Sequence, residues 1–69
     1  MRDEKIFIDL GNKIRNAREK AGLKQTEVAK SASLNITYYA QIERGEVNPS
    51  YEKLQAIGKV LKIKSLDFN

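Results

Sequence analysis

The residues best suited to contact a ligand lie between positions 36 and 44, where polar side chains recur at helical spacing. Thr37, Gln41 and Arg44 are separated by four and then three residues, which places them on one face of a helix. Tyr38 lies beside Thr37. Hydroxyl, amide and guanidinium groups of this kind can bond to base edges and to phosphate oxygens. The segment therefore has the chemistry of a surface that contacts nucleic acid.

The spacing of apolar residues predicts the helices that would hold this surface in place. Apolar residues recur at steps of three and four within each segment, and helix stop and start residues separate the segments. Gly22 and Gly45 favour helix ends, whereas Asn35 and Ser50 favour helix starts. The alternatives to an unbroken first helix are a helix start or a kink at Gly11. The predicted helices cover residues 4–21, 25–32, 36–43 and 51–61, with a short fifth turn capped by Ser65.

No segment alternates polar and apolar residues with a period of two, so we predict an all-α fold. A chain of 69 residues is long enough for one compact four-to-five-helix bundle. We expect residues 1–69 to form a single domain whose functional motif spans about residues 25–44. The second and third helices are joined by a short turn and must cross steeply. Ala29 lies where they touch, because only a very small side chain fits there.

Composition argues against most other kinds of function. The chain has no Cys and no His, which excludes disulfides, thiolate nucleophiles, imidazole metal ligands and histidine-based triads. Its nine acids are scattered, and it has no glycine-rich phosphate loop. We therefore predict that it is not an enzyme and that it uses no metal and no cofactor. It shows neither a signal peptide nor a membrane span, so we expect a cytoplasmic, nucleoid-associated protein.

Positive charge is concentrated in one part of the chain. The formal net charge is +4, and residues 13–30 carry all of this excess. Taken alone, such a run is more often a solvated helix surface than a binding site. Beside the motif at residues 25–44, it instead favours contact with phosphates. Arg15 and Lys24 are the cations that we expect to take part.

Three stretches resemble the phage-repressor and Cro-like (Xre-like) helix-turn-helix family. They are LGNKIRNAREKAGLKQTEVA from Leu10, AQIERGEVNPS from Ala40, and the following YEKLQAIGKVLKI. The resemblance covers about residues 10–66 and implies a lambda-repressor-like DNA-binding domain with a central helix-turn-helix. It also implies a regulator of transcription, such as a repressor, that binds specific sequences in double-stranded DNA. As a homodimer, such a protein would place two reading helices in successive major grooves and bind a palindromic operator.

The resemblance also implies roles for individual residues. Gln25 matches a position that contacts a backbone phosphate and supports the third helix, which reads the DNA. Arg44 matches a position at the phosphate backbone. Arg18 and Glu43 match an ion pair that ties the first helix to the reading helix. The residues that match positions in or beside the major groove are Asn35, Ile36, Thr37, Tyr38 and Gln41.

The residue types suggest how these positions divide the work. We expect Thr37 and Gln41 to read bases, with help from Asn35 and Ile36. We expect three other residues to contact phosphates: Gln25, Tyr38 and Arg44. Ile36 has two open interpretations, because it could contact a thymine methyl group or pack against Leu34 within the turn.

The chain departs from the family pattern at three further positions. Ser33 stands in the turn where the family usually has Gly, so the turn is expected to be strained or locally different. Tyr39 replaces a smaller apolar residue, and its hydroxyl needs a partner if the ring is buried. Lys62 replaces the usual Gly after the fourth helix, although a cation suits the negative end of the helix dipole.

The sequence leaves the partners of the protein open. A domain of this size cannot easily bury all the large apolar residues near its two ends, which are Phe7, Ile8, Ile63, Leu66 and Phe68. We therefore expect a two-fold dimer formed through the carboxyl-terminal segment. An antitoxin-like module whose main partner is a protein is the alternative function. A non-specific cationic nucleic-acid binder is less favoured because the net charge is small.

Overall fold

A computed structural model describes the backbone of residues 2–63 and the side chains of residues 5–63. Four α-helices make up the described fold: α1 (Arg2–Lys20), α2 (Gln25–Ser31), α3 (Ile36–Glu43) and α4 (Tyr51–Leu61). The all-α prediction is confirmed, since every regular element in residues 2–63 is a helix. The predicted fifth turn at Ser65 lies outside the described residues, as do Leu66 and Phe68.

The starts of α3 and α4 follow from the capping residues recognised in the sequence. Asn35 Oδ1 accepts hydrogen bonds from the main-chain N–H groups of Thr37, at 2.8 Å, and Tyr38, at 3.3 Å. The Ser50 hydroxyl accepts a hydrogen bond from the N–H of Lys53 at 3.3 Å. Each cap satisfies donors that the first turn of a helix leaves without an intrahelical partner.

Two non-glycine residues adopt the left-handed conformation where the family pattern has glycine. Ser33 has a φ of 60° in the turn between α2 and α3, and Lys62 has a φ of 58° after α4. The turn therefore keeps a glycine-like path, and Ser33 bears the strain. A side chain in this conformation costs about 1–2 kcal/mol.

Helix α1 continues unbroken through Gly11, so the alternative helix start at this residue is wrong. Gly11 is buried where α1 meets the carboxyl-terminal end of α3. A Cβ atom at this position would lie only 2.5 Å from the carbonyl oxygen of Ile42. The missing side chain therefore lets the two helix backbones approach closely.

All four helices contribute to one core. Helix α3 packs against α1 and α2, and α2 also packs against α4. Ala29 is only 2% exposed, in agreement with its predicted place at a helix contact. The other buried apolar residues are Leu10, Ile14, Val28, Ala32, Tyr39, Ile42, Leu54, Ile57 and Leu61.

The spacing of apolar residues predicted burial for two residues near helix starts, and this prediction was wrong. Tyr51 is 71% exposed and Ile6 is 41% exposed, although both share the helical spacing of the core residues that follow them. Each precedes the part of its helix that packs against other helices, so spacing alone does not bury it.

None of the described helices combines the length and apolar character needed to cross a membrane.

Candidate nucleic-acid interface

Helix α3 has one buried side and one exposed side. Its buried residues are Tyr39, Ile42 and Glu43. On the other side, Thr37, Gln41 and Arg44 form a stripe, because they follow one another at steps of four and three. Thr37 and Arg44 are exposed and Gln41 is half-buried. This stripe, the reading face, presents hydroxyl, amide and guanidinium groups on one surface.

The amino-terminal end of α3 adds two more of the expected contact residues. Asn35 uses its side-chain oxygen for the helix cap, and its amide nitrogen remains a donor. Ile36 is 39% exposed, whereas Leu34 is half-buried against the core. An isoleucine exposed in this way can meet the methyl group of a thymine, and both of its interpretations stay predictions.

A cation of α4 lies beside Tyr38 of α3. The Tyr38 ring is half-buried and packs against the core. The Lys53 ammonium lies 5.6 Å from the centroid of that ring, within the range of a cation–π interaction. Lys53 was missed in the sequence, because no spacing rule connects position 38 with position 53. Only the packing of α4 brings this positive charge next to Tyr38.

A buried carboxylate lies behind the reading face and joins three helices. Glu43, in α3, is 4% exposed. It accepts hydrogen bonds from Arg18 of α1, through Nε at 2.7 Å and Nη2 at 3.1 Å, and from Gln25 Nε2 of α2 at 2.9 Å. The Tyr39 hydroxyl donates to the same carboxylate at 2.5 Å. We call these four residues the Glu43 cluster.

The cluster supplies the partner that the Tyr39 hydroxyl requires and satisfies its other polar groups. Arg18 Nη1 also donates to the carbonyl oxygen of Leu23 at 3.0 Å. In the described part of the chain, every buried side-chain nitrogen or oxygen has a hydrogen-bond partner. A fully satisfied polar network of this kind holds α3 in one orientation, because rotating the helix would leave buried charges unpaired.

The electrostatics of the cluster keep Glu43 ionised. Burial alone would raise the pKa of Glu43, but hydrogen bonds from Arg18, Tyr39 and Gln25 together lower it below its ordinary value. The hydrogen bond to Glu43 raises the pKa of Arg18. Burial, together with the adjacent carboxylate, raises the pKa of the Tyr39 hydroxyl. At neutral pH the cluster therefore contains one carboxylate, one guanidinium and a neutral phenol.

Two of the expected phosphate contacts lie at the start of α2. Gln25 is half-buried and uses one amide hydrogen on Glu43, which leaves the second available to another acceptor. Lys24 is exposed immediately before α2. Its main-chain N–H donates to the Glu27 carboxylate at 2.7 Å, so the chain at Lys24 is held against the first turn of α2.

The remaining two expected cations are both exposed. Arg15 lies on α1, one turn before Arg18, and its Nη2 donates to Asn12 Oδ1 at 3.3 Å. Arg44 lies at the end of α3 and is paired with Glu46 through two hydrogen bonds, of 2.8 Å and 3.1 Å. The sequence did not point to this second ion pair.

The described residues contain no cluster of acidic side chains arranged to hold a metal ion.

Most of the chain is similar to known proteins. The model of a helix-turn-helix family matches residues 14–69. An HTH-type transcriptional regulator, DdrOP3, from Deinococcus deserti is 33% identical over 54 residues, which are 78% of this chain and 42% of that protein.

Two proteins of Bacillus phage phi105 are also similar. Its immunity repressor protein is 36% identical over 55 residues, or 80% of this chain and 38% of the repressor. Its ImmF control region 10 kDa protein is 38% identical over 60 residues, or 87% of this chain and 63% of that protein. The chain thus spans between 38% and 63% of the length of these relatives. No solved structure matches it significantly.

Proposed function

The chain belongs to the Xre-like helix-turn-helix family of phage-repressor and Cro-like proteins, and we propose that it is a transcriptional regulator that binds specific sequences in double-stranded DNA. The observation that carries this proposal is the reading face, where Thr37, Gln41 and Arg44 lie on the exposed side of a helix fixed by the Glu43 cluster. An exposed helix with a rigid base can enter the major groove in one register.

Base reading is assigned to the first two turns of α3. The Gln41 amide can donate and accept, and bidentate contact with adenine is its preferred pairing. Thr37 can bond to either kind of base edge, with Asn35 and Ile36 completing the surface. This role is supported by the outward positions of these residues and by the cap at Asn35, which fixes where α3 begins.

Phosphate contacts are assigned to groups around the reading face. Gln25, Tyr38 and Arg44 supply donors close to α3, with Lys24 and Arg15 farther along the basic part of the chain. Lys53 joins this set because its ammonium lies beside the Tyr38 ring. Contacts of this type fix the register of the protein on DNA without reading the sequence.

We propose that the protein acts as a homodimer with residues 1–69 of each copy forming one domain. Two reading helices in successive major grooves lie about 34 Å apart, which would make the operator roughly palindromic. Ile8, one of the apolar residues near the two ends that we expected to remain unburied, is 46% exposed, and this exposure supports an apolar surface. A sedimentation mass of one chain at micromolar concentration would contradict the dimer. Binding to chromosomal DNA would place the protein in the cytoplasm, and this role requires no catalysis.

The decisive experiment is selection from random duplex DNA at near-physiological salt with excess non-specific competitor. We expect an enriched motif with two-fold symmetry. The same selection with Gln41→Ala should relax the preference at one position per half-site, at a cost of about 1–3 kcal/mol for the preferred sequence. Lys30→Ala is the control, because Lys30 is exposed on α2 and has no assigned contact. No enrichment with folded protein would contradict DNA reading, and an unchanged profile for Gln41→Ala would contradict its role.

A further inference from the structure

The end of α3 has a geometry that controls where the next acidic side chain lies. Gly45 adopts a φ of 75°. Its N–H donates to the carbonyl oxygen of Ile42 at 3.1 Å, and the N–H of Glu46 donates to that of Gln41 at 2.9 Å. These two bonds define a Schellman motif, which folds residue 46 back against the last turns of the helix. Such motifs often place an apolar residue there, but this chain has an acid.

The folded-back Glu46 carboxylate binds Arg44, the arginine at the end of α3. Glu46 accepts from Arg44 Nε at 2.8 Å and from Arg44 Nη2 at 3.1 Å, so the two side chains form a bidentate pair. About half of each side chain is exposed to solvent. In the sequence, Arg44 is the only Lys or Arg between residues 31 and 52. Since Arg18 is already paired with Glu43, the pairing of Arg44 with Glu46 means that neither pair leaves a net positive charge at this end of α3.

We propose that Glu46 competes with a DNA phosphate for the guanidinium of Arg44 and so lowers the affinity of the protein for all duplex DNA. This inference rests on the proposed function. A phosphate that takes the Nε and Nη2 donors of Arg44 must displace Glu46, and the displaced carboxylate then lies close to the DNA backbone. When Arg44 binds a phosphate, it therefore exchanges one anionic partner, the Glu46 carboxylate, for another. It does not bind the phosphate as an unpaired cation would.

The expected consequence is a weak sequence-independent contribution to binding. Lys and Arg contacts to phosphates supply most non-specific affinity, whereas base contacts separate the operator from other DNA. A cation that is already neutralised by a carboxylate adds little to the non-specific affinity. The protein would then depend more strongly on Thr37 and Gln41, so that Glu46 limits time spent on non-specific sites.

The test measures duplex binding against salt concentration for wild type, Glu46→Gln, Arg44→Gln and the double variant. Each additional phosphate contact releases counterions from the DNA and steepens the slope of log affinity against log salt by about 0.9. Glu46→Gln should therefore steepen this slope by about 0.9 and strengthen binding at 0.1 M salt by about five- to tenfold. The gain should apply to operator and non-specific duplexes alike. Arg44→Gln should weaken binding more in the Glu46→Gln protein than in the wild type.

A matched control separates this effect from a general change in charge. Asp9→Asn removes the same charge from α1, on the side of the helix opposite Gly11, which packs against α3. We expect Asp9→Asn to change affinity and slope much less than Glu46→Gln does. Circular dichroism of each variant checks that the helices remain intact.

Each of the other outcomes has a defined meaning. An unchanged affinity in Glu46→Gln, or equal effects of Glu46→Gln and Asp9→Asn, would overturn the competition. Weaker binding by Glu46→Gln would overturn it as well, because Glu46 would then position Arg44 for the phosphate. Additive effects of the two substitutions would show that Glu46 does not act through Arg44. If neither wild type nor Glu46→Gln bound duplex DNA, the proposed function would fail together with this inference.

Discussion

Two arginine–carboxylate pairs lie at the end of α3, one on each side of the helix. Glu43 and Arg18 meet at 2.7 Å in the interior, where the carboxylate also accepts hydrogen bonds from Gln25 and Tyr39. Arg44 and Glu46 meet at 2.8 Å on the surface. The two pairs have nearly the same bond geometry, and only their surroundings differ.

The difference shows how context determines what such a pair does. Water competes weakly in the interior, so an unpaired Glu43 would bear the full cost of a desolvated charge. On the surface, water and salt replace either partner at little cost, so the outer pair adds little to stability. The inner pair therefore fixes the position of α3, while the outer pair is free to exchange partners.

The largest expected effect comes from breaking the inner pair. Arg18→Met keeps much of the side-chain volume but leaves Glu43 buried without its cation. We expect the free energy of unfolding to fall by about 3–5 kcal/mol, as measured by urea denaturation at pH 7. A domain of this size has little stability in reserve, so the variant is expected to be partly unfolded without denaturant.

A double variant tests whether the loss comes from the stranded charge. Arg18→Met combined with Glu43→Gln removes both charges and keeps an acceptor for Tyr39. It should recover part of the stability lost in Arg18→Met. A double variant less stable than Arg18→Met would show that packing, rather than charge, explains the loss.

The second-largest effect is expected from a substitution that disturbs the close approach of α1 and α3, which brings Arg18 to Glu43. In Gly11→Ala, the added Cβ would meet main-chain atoms of Ile42, which cannot move away as a flexible side chain could. The steric cost of about 3 kcal/mol exceeds the gain in helix propensity of about 1 kcal/mol, which leaves a net loss of about 2 kcal/mol in unfolding free energy. Asn16→Ala, at an exposed position of α1, is the control. Equal stability of the two variants would contradict the close approach.

A smaller effect is expected from removing one donor of the inner cluster. Tyr39→Phe keeps the buried ring and removes the hydrogen bond to Glu43, at a cost of about 1.5 kcal/mol at pH 7. The pKa of Glu43 lies below its ordinary value in the folded protein. Its ionised form therefore stabilises the fold above the unfolded-state pKa, and this stabilisation is lost as the pH falls through the folded-state pKa.

The pH dependence distinguishes this charge effect from a simple packing defect. Urea denaturation of wild type and Tyr39→Phe at pH 7 and at an acidic pH at which Glu43 becomes protonated should show a smaller difference at the acidic pH. Removing the donor should also let the folded-state pKa of Glu43 rise. A difference that stays the same at both pH values would contradict the assigned role of the hydroxyl.

Local sequence signals explain why much of the fold was predictable. The caps at Asn35 and Ser50 depend on groups within a few residues of the cap, and so their effects could be read directly from the sequence. The need for a partner of Tyr39 was likewise clear from its size and polarity. The spacing rule failed at Tyr51, because the rule describes the face of a helix and not how far the packed region extends.

Contacts set by tertiary packing or by a turn were not predictable in the same way. Lys53 reaches Tyr38 only because the fold brings the first turn of α4 near this residue of α3. Glu46 reaches Arg44 because Gly45 adopts a positive φ and turns the chain back on the helix. The glycine was recognised as a helix end, but the side-chain pairing depends on the path of the two residues around it.

The smallest expected effect on stability comes from the outer pair. Glu46→Gln removes the carboxylate but keeps the length of the side chain and the main-chain hydrogen bond to Gln41. Both members of this pair are exposed, so water takes the place of the lost contact and the urea midpoint should be unchanged within error. The same variant is expected to alter DNA binding, whereas Arg18→Met alters DNA binding only through unfolding. A clear fall in the urea midpoint of Glu46→Gln would show that the outer pair also holds α3 in place, and the contrast between the two pairs would then fail.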